Sequence, residues 1–254
     1  MTLTVAVLGL GEAGGAIARD LVEAGAVVRA YDPAVTARAG MVPATGEADA
    51  ATGADLVLSA NSAKAALDAL RAGVSSARVW ADLNTASPGL KRQLAEVAEA
   101  HGVPFADVAI MAPVPGRGLR TPMLTSGPAA ERVASALNPL GAAVTTMDGP
   151  AGLAAERKLL RSVFFKGLAA AVVEALAAGR AAGCEDWLRD NITEELTRAG
   201  ESTVERLVTG THQHAVRRAD EMAAATDMLT ELGVAPTVTA ATRDLLTRLV
   251  EERG

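Results

Sequence analysis

Glycines at positions 9, 11 and 14 end an apolar run, Val5-Ala6-Val7-Leu8, and open a helical one, so the chain must turn tightly there and let two backbone segments come close. Gly9 permits the turn, Gly11 lets backbone approach a pyrophosphate, and Gly14 lets the following helix pack on the strand. A helix N-terminus, with its free N–H groups and positive dipole end, then faces the phosphates. The spacing alone also fits a glycine-rich turn in an unrelated parallel sheet. Its context favours a dinucleotide cradle: a strand before, a helix from Ala13 to Ala24 after, a second strand, then an acid about 20 residues on.

Gly9, Leu10, Gly11, Glu12, Ala13 and Gly14 are the loop's candidate cofactor-binding residues. Glu12 has the wrong sign for phosphate and is tolerated if its side chain points to solvent. Asp32, ending the second strand, offers a carboxylate that accepts ribose hydroxyls of NAD and repels the 2′-phosphate of NADP. Strand alternation puts Arg29 and Tyr31 on the face opposite to Asp32. Arg38 is the nearby cation that would serve NADP. NAD is the expected cofactor, held in part by Tyr31 and Asp32.

The chain has 254 residues, 50% hydrophobic and 21% charged, with net charge −6, as expected for a globular protein of one large or two smaller domains. Its acidity and 2% aromatic content count against nucleic-acid binding, which needs basic patches and stacking rings. The start lacks a basic n-region and a cleavage site, so no signal peptide is expected. The apolar stretch from Leu168 to Ala178 contains Glu174 and is too short to span a bilayer, so no membrane partner is expected. Cys184, the single cysteine, excludes an internal disulfide, fits a reducing cytoplasm, and lacks a visible base that would make it a nucleophile. No cysteine or histidine cluster has zinc spacing, so no metal is expected.

The fold class read from the pattern is α/β. Residues 1–150 form a Rossmann-type, doubly wound, mostly parallel sheet, and residues 151–254 an all-helical domain for substrate binding and dimerisation. Strands fall near Thr4–Leu8, Val27–Tyr31, Leu56–Ala60, Val79–Leu83, Phe105–Val108, Met123–Ser126 and Val144–Met147. Ser87-Pro88 is a helix start running to about Ala100, and Asn61 or Ser62 opens another. Gly152 to Ala182 reads as one long helix; others follow near Glu185–Arg198, Glu201–Val208, Thr211–Leu232 and Pro236–Glu252. A helical domain of this size, rich in alanine and leucine, predicts a homodimer.

Ligands bind beyond the carboxyl ends of strands in such a sheet. Ser59, Ala60 and Asn61 lie in one such loop and Asn84 and Thr85 in another, and both loops suit hydrogen bonding to ribose or carboxamide; helix capping is the competing reading. Farther on, Lys158, Ser162 and Lys166 form a line along one helix, four residues apart. Such a row is either a solvated stripe or a buried cationic strip, and burial would bring a lysine pKa toward that of a working acid or base.

The order of Gly9-Leu10-Gly11-Glu12-Ala13-Gly14, Asp82-Leu83-Asn84-Thr85-Ala86-Ser87-Pro88, Ala112-Pro113-Val114-Pro115-Gly116 and Lys158-x-x-x-Ser162 resembles the β-hydroxyacid dehydrogenases, the family of 3-hydroxyisobutyrate and 6-phosphogluconate dehydrogenases. Residues 158–167 and 214–222 resemble a subgroup with a shortened helical C-terminal domain. The resemblance implies hydride transfer between NAD(P) and a carbinol carbon of a small, anionic β-hydroxy acid or sugar acid. Lys158 is then the general acid/base, with Ser162 beside it. Asn84 and Thr85 lie near the nicotinamide ribose and substrate, and Pro115, Gly116, Ser162 and Lys166 contact substrate. Pro115 stands where the family has a serine, and Ser162 where it has an asparagine. Both changes fall on substrate-holding positions, which leaves open an imine or ketone reductase on the same fold. A sensor that binds NAD(H) without chemistry is the reading from another class. Arg117, Arg120 and Arg161 are cations that could pair with a carboxylate or phosphate, and His212 and His214 read as structural or interfacial.

Overall fold

Every strand among the described residues joins one eight-stranded sheet, ordered 3-2-1-4-5-6-7-8. The structure, a computed structural model, describes residues 2–252. Its first unit contains β1 (Thr4–Leu8), α1 (Glu12–Glu23), β2 (Val27–Tyr31), β3 (Val42–Pro43), α2 (Glu47–Ala51), β4 (Leu56–Ser59), α3 (Ala66–Gly73), β5 (Trp80–Asp82), α4 (Pro88–Ala100), β6 (Phe105–Ile110), β7 (Pro122–Ser126), α5 (Ala130–Leu137) and β8 (Ala143–Thr146). Strands β1 to β6 pair in parallel, β7 runs antiparallel to β6, and β8 is parallel to β7. The seven strands expected from the sequence are all present. The two-residue edge strand β3 and the short helix α2 are additions that a five-residue or shorter run does not advertise.

The chain winds outward from β1 through β2 to β3, then returns to the other side of β1 as β4. That reversal leaves a crevice between the carboxyl ends of β1 and β4, the place where a doubly wound sheet binds its ligand. Both faces of the sheet are covered, so its central strands are buried and mostly apolar: all four residues of β4 are buried, and only the last, Ser59, is polar. Ile17 and Leu21 of α1, Val133 and Leu137 of α5, and Val114 and Leu119 of an irregular segment cover one face. Helices α2, α3 and α4 cover the other through Ala50, Ala51, Ala66, Leu70, Leu94 and Ala98. Helix α4 starts as its sequence demands, with the Ser87 hydroxyl accepting from the Leu90 amide at 3.2 Å and proline in the first position.

The first compact unit ends at Arg161 and the second begins at Ser162, within one continuous helix, α6 (Leu153–Ala181). The remainder is helical, as expected: α7 (Glu185–Thr197), α8 (Ser202–Gln213), α9 (Ala215–Glu231) and α10 (Thr237–Glu251), though the break expected at residues 209–210 falls instead at His214. Within this second unit the Glu174 carboxylate caps α10, accepting from the Val238 amide at 2.7 Å, the Thr239 amide at 2.8 Å and the Thr239 hydroxyl at 2.6 Å. Helix α6 is long and apolar enough, by length and composition, to cross a membrane. The helical unit also leaves large apolar side chains exposed, among them Val163 (75%), Phe164 (58%) and Trp187 (67%).

Candidate functional site

The glycine turn folds as its spacing requires. Gly9 has φ of 95°, and a Cβ there would lie 2.6 Å from the Ala60 carbonyl oxygen. A Cβ on Gly14 would lie 2.0 Å from the Gly9 oxygen, so β1, α1 and the Ala60 turn close on one another only through bare backbone. A Cβ on Gly11 would instead project into open space. Gly11 is the N-cap of α1 and offers no side-chain cap, so the helix's first amides remain available to an anion. Leu10 is buried, Ala13 half-buried, and Glu12 exposed, so its carboxylate is free to stay away from phosphate. The cradle thus fits a dinucleotide pyrophosphate.

Asp32 follows β2, where the Tyr31 carbonyl accepts from the Gly9 amide at 2.8 Å. Its Oδ2 accepts from the Leu10 amide at 2.7 Å, and its Oδ1 from the amides of Ala34 (2.8 Å) and Val35 (2.9 Å). Partial burial pushes the carboxyl up, but those three donors outweigh it and hold the pKa below the ordinary 3.8. A carboxylate has about four acceptor positions, so three amides leave roughly one of them for ligand. Arg29 points the other way, to the Asp49 carboxylate and the carbonyls of Asp49 and Ala50, as alternation predicts. Arg38 is exposed.

Beyond β4 and β5 a polar cluster forms. The Asn84 side-chain amide donates to Asp82 Oδ2 at 2.7 Å and Asn61 Oδ1 at 2.8 Å, and lies 3.2 Å from the Ser59 hydroxyl. A carboxylate cannot donate, so the amide nitrogen must face Asp82; this fixes which way the Asn84 group points. Its carbonyl oxygen is thereby presented as an acceptor. Ser59 and Asp82 are fully buried and Asn84 nearly so. Next along the chain, the exposed Thr85 hydroxyl accepts from the Lys158 ammonium at 2.7 Å. Lys158 is half-buried, which lies between the two readings of its helix face. Half-buried Ser162 and exposed Lys166 follow at four-residue intervals on α6.

Pro115 and Gly116 are exposed in the segment between β6 and β7. Gly116 lines a cavity of about 420 Å³ with Arg117, Arg120 and the Arg19, Asp20 and Glu23 side of α1. Asp20 anchors this segment by accepting from the Leu119 amide at 2.8 Å.

Sequence reasoning passed over Lys91. Its side chain, 1% exposed, donates from one turn inside α4 to both the carbonyl and the Oδ1 of Asp82, each at 2.7 Å. Its ammonium also stands 3.0 Å from Asp107 Oδ1, an ionic contact off the hydrogen-bond direction. Asp107 Oδ2 accepts from the amides of Gly152 (3.1 Å) and Ala155 (2.8 Å), and the Ser126 hydroxyl accepts from that of Ala154 (3.1 Å). Two side chains from the sheet therefore cap α6. The signal available was a pair of acids, Asp82 and Asp107, at corresponding places in consecutive strands.

Comparison with known proteins agrees with this geometry. Residues 4–149 match the family model described as the NAD binding domain of 6-phosphogluconate dehydrogenase, and residues 180–249 one described as a domain of unknown function, DUF1932. No curated protein matches the chain. Among solved structures, a conserved protein of unknown function described as structurally similar to 3-hydroxyacid dehydrogenases is 28% identical, over 99% of this chain and 98% of that one, with a TM-score of 0.65. A variant of the imine reductase from Myxococcus stipitatus in complex with NAD+ is 22% identical over 99% and 95%, with a TM-score of 0.81. A reductive aminase from Aspergillus terreus in complex with NADPH and ethyl levulinate is 21% identical over 99% and 95%, with a TM-score of 0.76.

Proposed function

We propose a reaction for this chain from one premise: it belongs to the 6-phosphogluconate dehydrogenase-like family of NAD(P)-dependent dehydrogenases and reductases. The reading is an oxidoreductase of a small, anionic β-hydroxy acid or sugar acid, with Lys158 as general acid/base. The observation that carries it is the 2.7 Å bond from the Lys158 ammonium to Thr85, the residue after Asn84. NAD supplies the hydride acceptor. In oxidation, a neutral Lys158 amine takes the substrate hydroxyl proton as the carbinol C–H bond breaks and the carbonyl forms; in reduction the ammonium returns that proton to oxygen. Thr85 orients the amine, and the Asn84 carbonyl oxygen accepts from a ribose or carboxamide donor. Gly9 to Gly14 hold the pyrophosphate. Asp32 takes one ribose hydroxyl and disfavours a 2′-phosphate, hence NAD over NADP. Ser162, Lys166, Pro115 and Gly116 are proposed substrate contacts.

Pro115 supports a second reading, reduction of an imine or ketone. Proline has no N–H and no side-chain donor, so the substrate loop offers less to a carboxylate. The helical part from residue 151 onward serves substrate binding and dimerisation, and the chain works as a cytoplasmic homodimer, its exposed α6 and α7 apolar side chains covered by a second copy rather than by lipid. Glu174, a charge inside α6 held by three α10 donors, fits such packing better than a bilayer.

The test is Lys158→Ala, assayed for NADH oxidation and NAD reduction with hydroxy acids, ketones and imines. The expected result is unchanged NADH binding with turnover lowered about 10²- to 10⁴-fold. Turnover near that of the wild type removes Lys158 from the chemistry. Tight NADH binding by the wild type with no turnover on any of the panel favours a non-catalytic sensor.

A further inference from the structure

We propose that Lys91 is a positioning residue that locks Asn84 and Lys158 into register through a buried ion triad, an inference that rests on the roles just assigned to those two residues. Asp82 of β5 and Asp107 of β6 are directly paired across the parallel ladder, and both are fully buried. Two carboxylates at neighbouring ladder positions repel unless a cation lies between them. Lys91 is that cation, 2.7 Å from one and 3.0 Å from the other.

Each acid spends its second oxygen on a different part of the site. Asp82 Oδ2 holds the Asn84 amide, which sets the direction of the Asn84 carbonyl. Asp107 Oδ2 holds the Gly152 and Ala155 amides, which fixes the start of the helix carrying Lys158 one turn later. One ammonium therefore couples the loop proposed to meet the nicotinamide ribose to the helix proposed to supply the proton. The triad carries one net negative charge, and the positive end of α6 lies against it. A wholly apolar cluster of the same volume is often at least as stable as a buried ion cluster. Packing alone does not call for this arrangement, whereas alignment of two separate polar groups does.

The experiment compares Lys91→Met with Leu94→Ala, a purely packing change at a fully buried position of the same helix. Three readouts are taken: thermal unfolding, NADH affinity by fluorescence titration, and the ¹³C resonance of reductively dimethylated Lys158, assigned with Lys158→Arg. The expected result for Lys91→Met is NADH affinity weakened about tenfold, as for one or two lost hydrogen bonds, with a displaced Lys158 resonance. Leu94→Ala lowers the melting temperature while leaving both of those readouts in place. If Lys91→Met does not fold, Asp82→Asn serves instead: it leaves Lys91 and Asp107 as a neutral pair, and with the remaining carbonyl oxygen taken by the Lys91 ammonium its NH2 group faces Asn84 and cannot accept from it, so the same loss of NADH affinity is expected. A folded Lys91→Met or Asp82→Asn protein with wild-type NADH affinity and, for Lys91→Met, an unmoved resonance overturns the proposal. These readouts need no turnover. Failure of the catalytic reading shows separately, as Lys158→Ala that still turns over.

Discussion

Lys158 and Thr85 are 73 residues apart in the chain, and the ammonium of one donates to the hydroxyl of the other at 2.7 Å. The bond ties the first turns of α6 to the loop after β5, and in the proposed reaction Thr85 orients the acid/base through it. Thr85→Val keeps the shape and removes the acceptor, so it is expected to lower turnover about tenfold while NADH binding stays within about twofold, as suits loss of one charged hydrogen bond. Steady-state kinetics beside an NADH titration measure both. Equal kcat for the variant and wild type rules out an orienting role for Thr85.

Gly14 tests the cradle. Its imagined Cβ falls 2.0 Å from the Gly9 oxygen, and both partners are backbone with nowhere to rotate. Gly14→Ala is therefore expected to push α1 off β1, weakening NADH at least about tenfold and destabilising the fold by about 1–3 kcal/mol, the usual range for overpacking. Gly25→Ala meets no neighbour but has φ of 89°. It is expected to cost stability and to leave NADH affinity alone. Calorimetry and fluorescence titration separate the two; similar NADH losses in both variants refute the cradle assignment.

The strands, the α4 cap and the glycine turn were legible because each is encoded within about a dozen neighbouring residues. Ser87-Pro88 states its own helix start, and β4 opens on a bare apolar run, Leu56-Val57-Leu58. Lys91 was not legible, because a lysine in an amphipathic helix reads as solvated; only the pairing of β5 with β6 brings Asp82 and Asp107 to it. The capping of α6 escaped for the same reason: Asp107 lies 45 and 48 residues, and Ser126 28 residues, before the amides they hold. Asp32 was found by its distance from the glycines, but its three amide donors are a property of the folded turn. The segment holding Pro115 and Gly116 has no periodicity, and its attachment to Asp20 of α1 is a tertiary fact.

In the proposed reading Asp32 controls the choice of cofactor. Its carboxyl is kept ionised by amides from Leu10, Ala34 and Val35, so a fixed negative charge stands beside the expected ribose. Asp32→Ser is predicted to raise the NADPH-to-NADH affinity ratio by about 10- to 100-fold, through relief of like-charge repulsion and loss of a ribose contact. Dissociation constants for both cofactors give the ratio. Wild-type protein that binds NADPH as tightly as NADH contradicts the assignment.

Glu174 gives a pH signature. Burial pushes its carboxyl up, but the Thr239 hydroxyl and the amides of Val238, Thr239 and Thr237 outweigh that and hold the pKa below the ordinary 4.5. A lowered folded value means stability that is present above the unfolded pKa and lost as pH falls through the folded one. Glu174→Ala is expected to cost about 1 kcal/mol near neutral pH, as for loss of an N-cap. That gap should close as the pH falls below 4.5. Thermal melts of both proteins across that range check the sign; a gap that widens in acid excludes the capping role.

The exposed apolar residues of the helical unit predict its assembly. Val163, Phe164, Phe165 and Val173 of α6, with Trp187 of α7 and Val204, Leu207 and Val208 of α8, are each about half or more exposed. Apolar surface on this scale is rare on a protein that stays alone in water. A two-fold copy would present the same side chains in return, so covering them needs no second kind of partner. Light scattering at micromolar concentration is expected to give twice the chain mass. Val163→Glu with Phe164→Glu should yield monomers, because a dimer that covers these side chains would then bury four carboxylates. NADH binding should survive if the cradle is complete within one chain, and turnover should fall if substrate contacts come from both. A wild-type monomer, or a dimer untouched by the two glutamates, places the interface elsewhere.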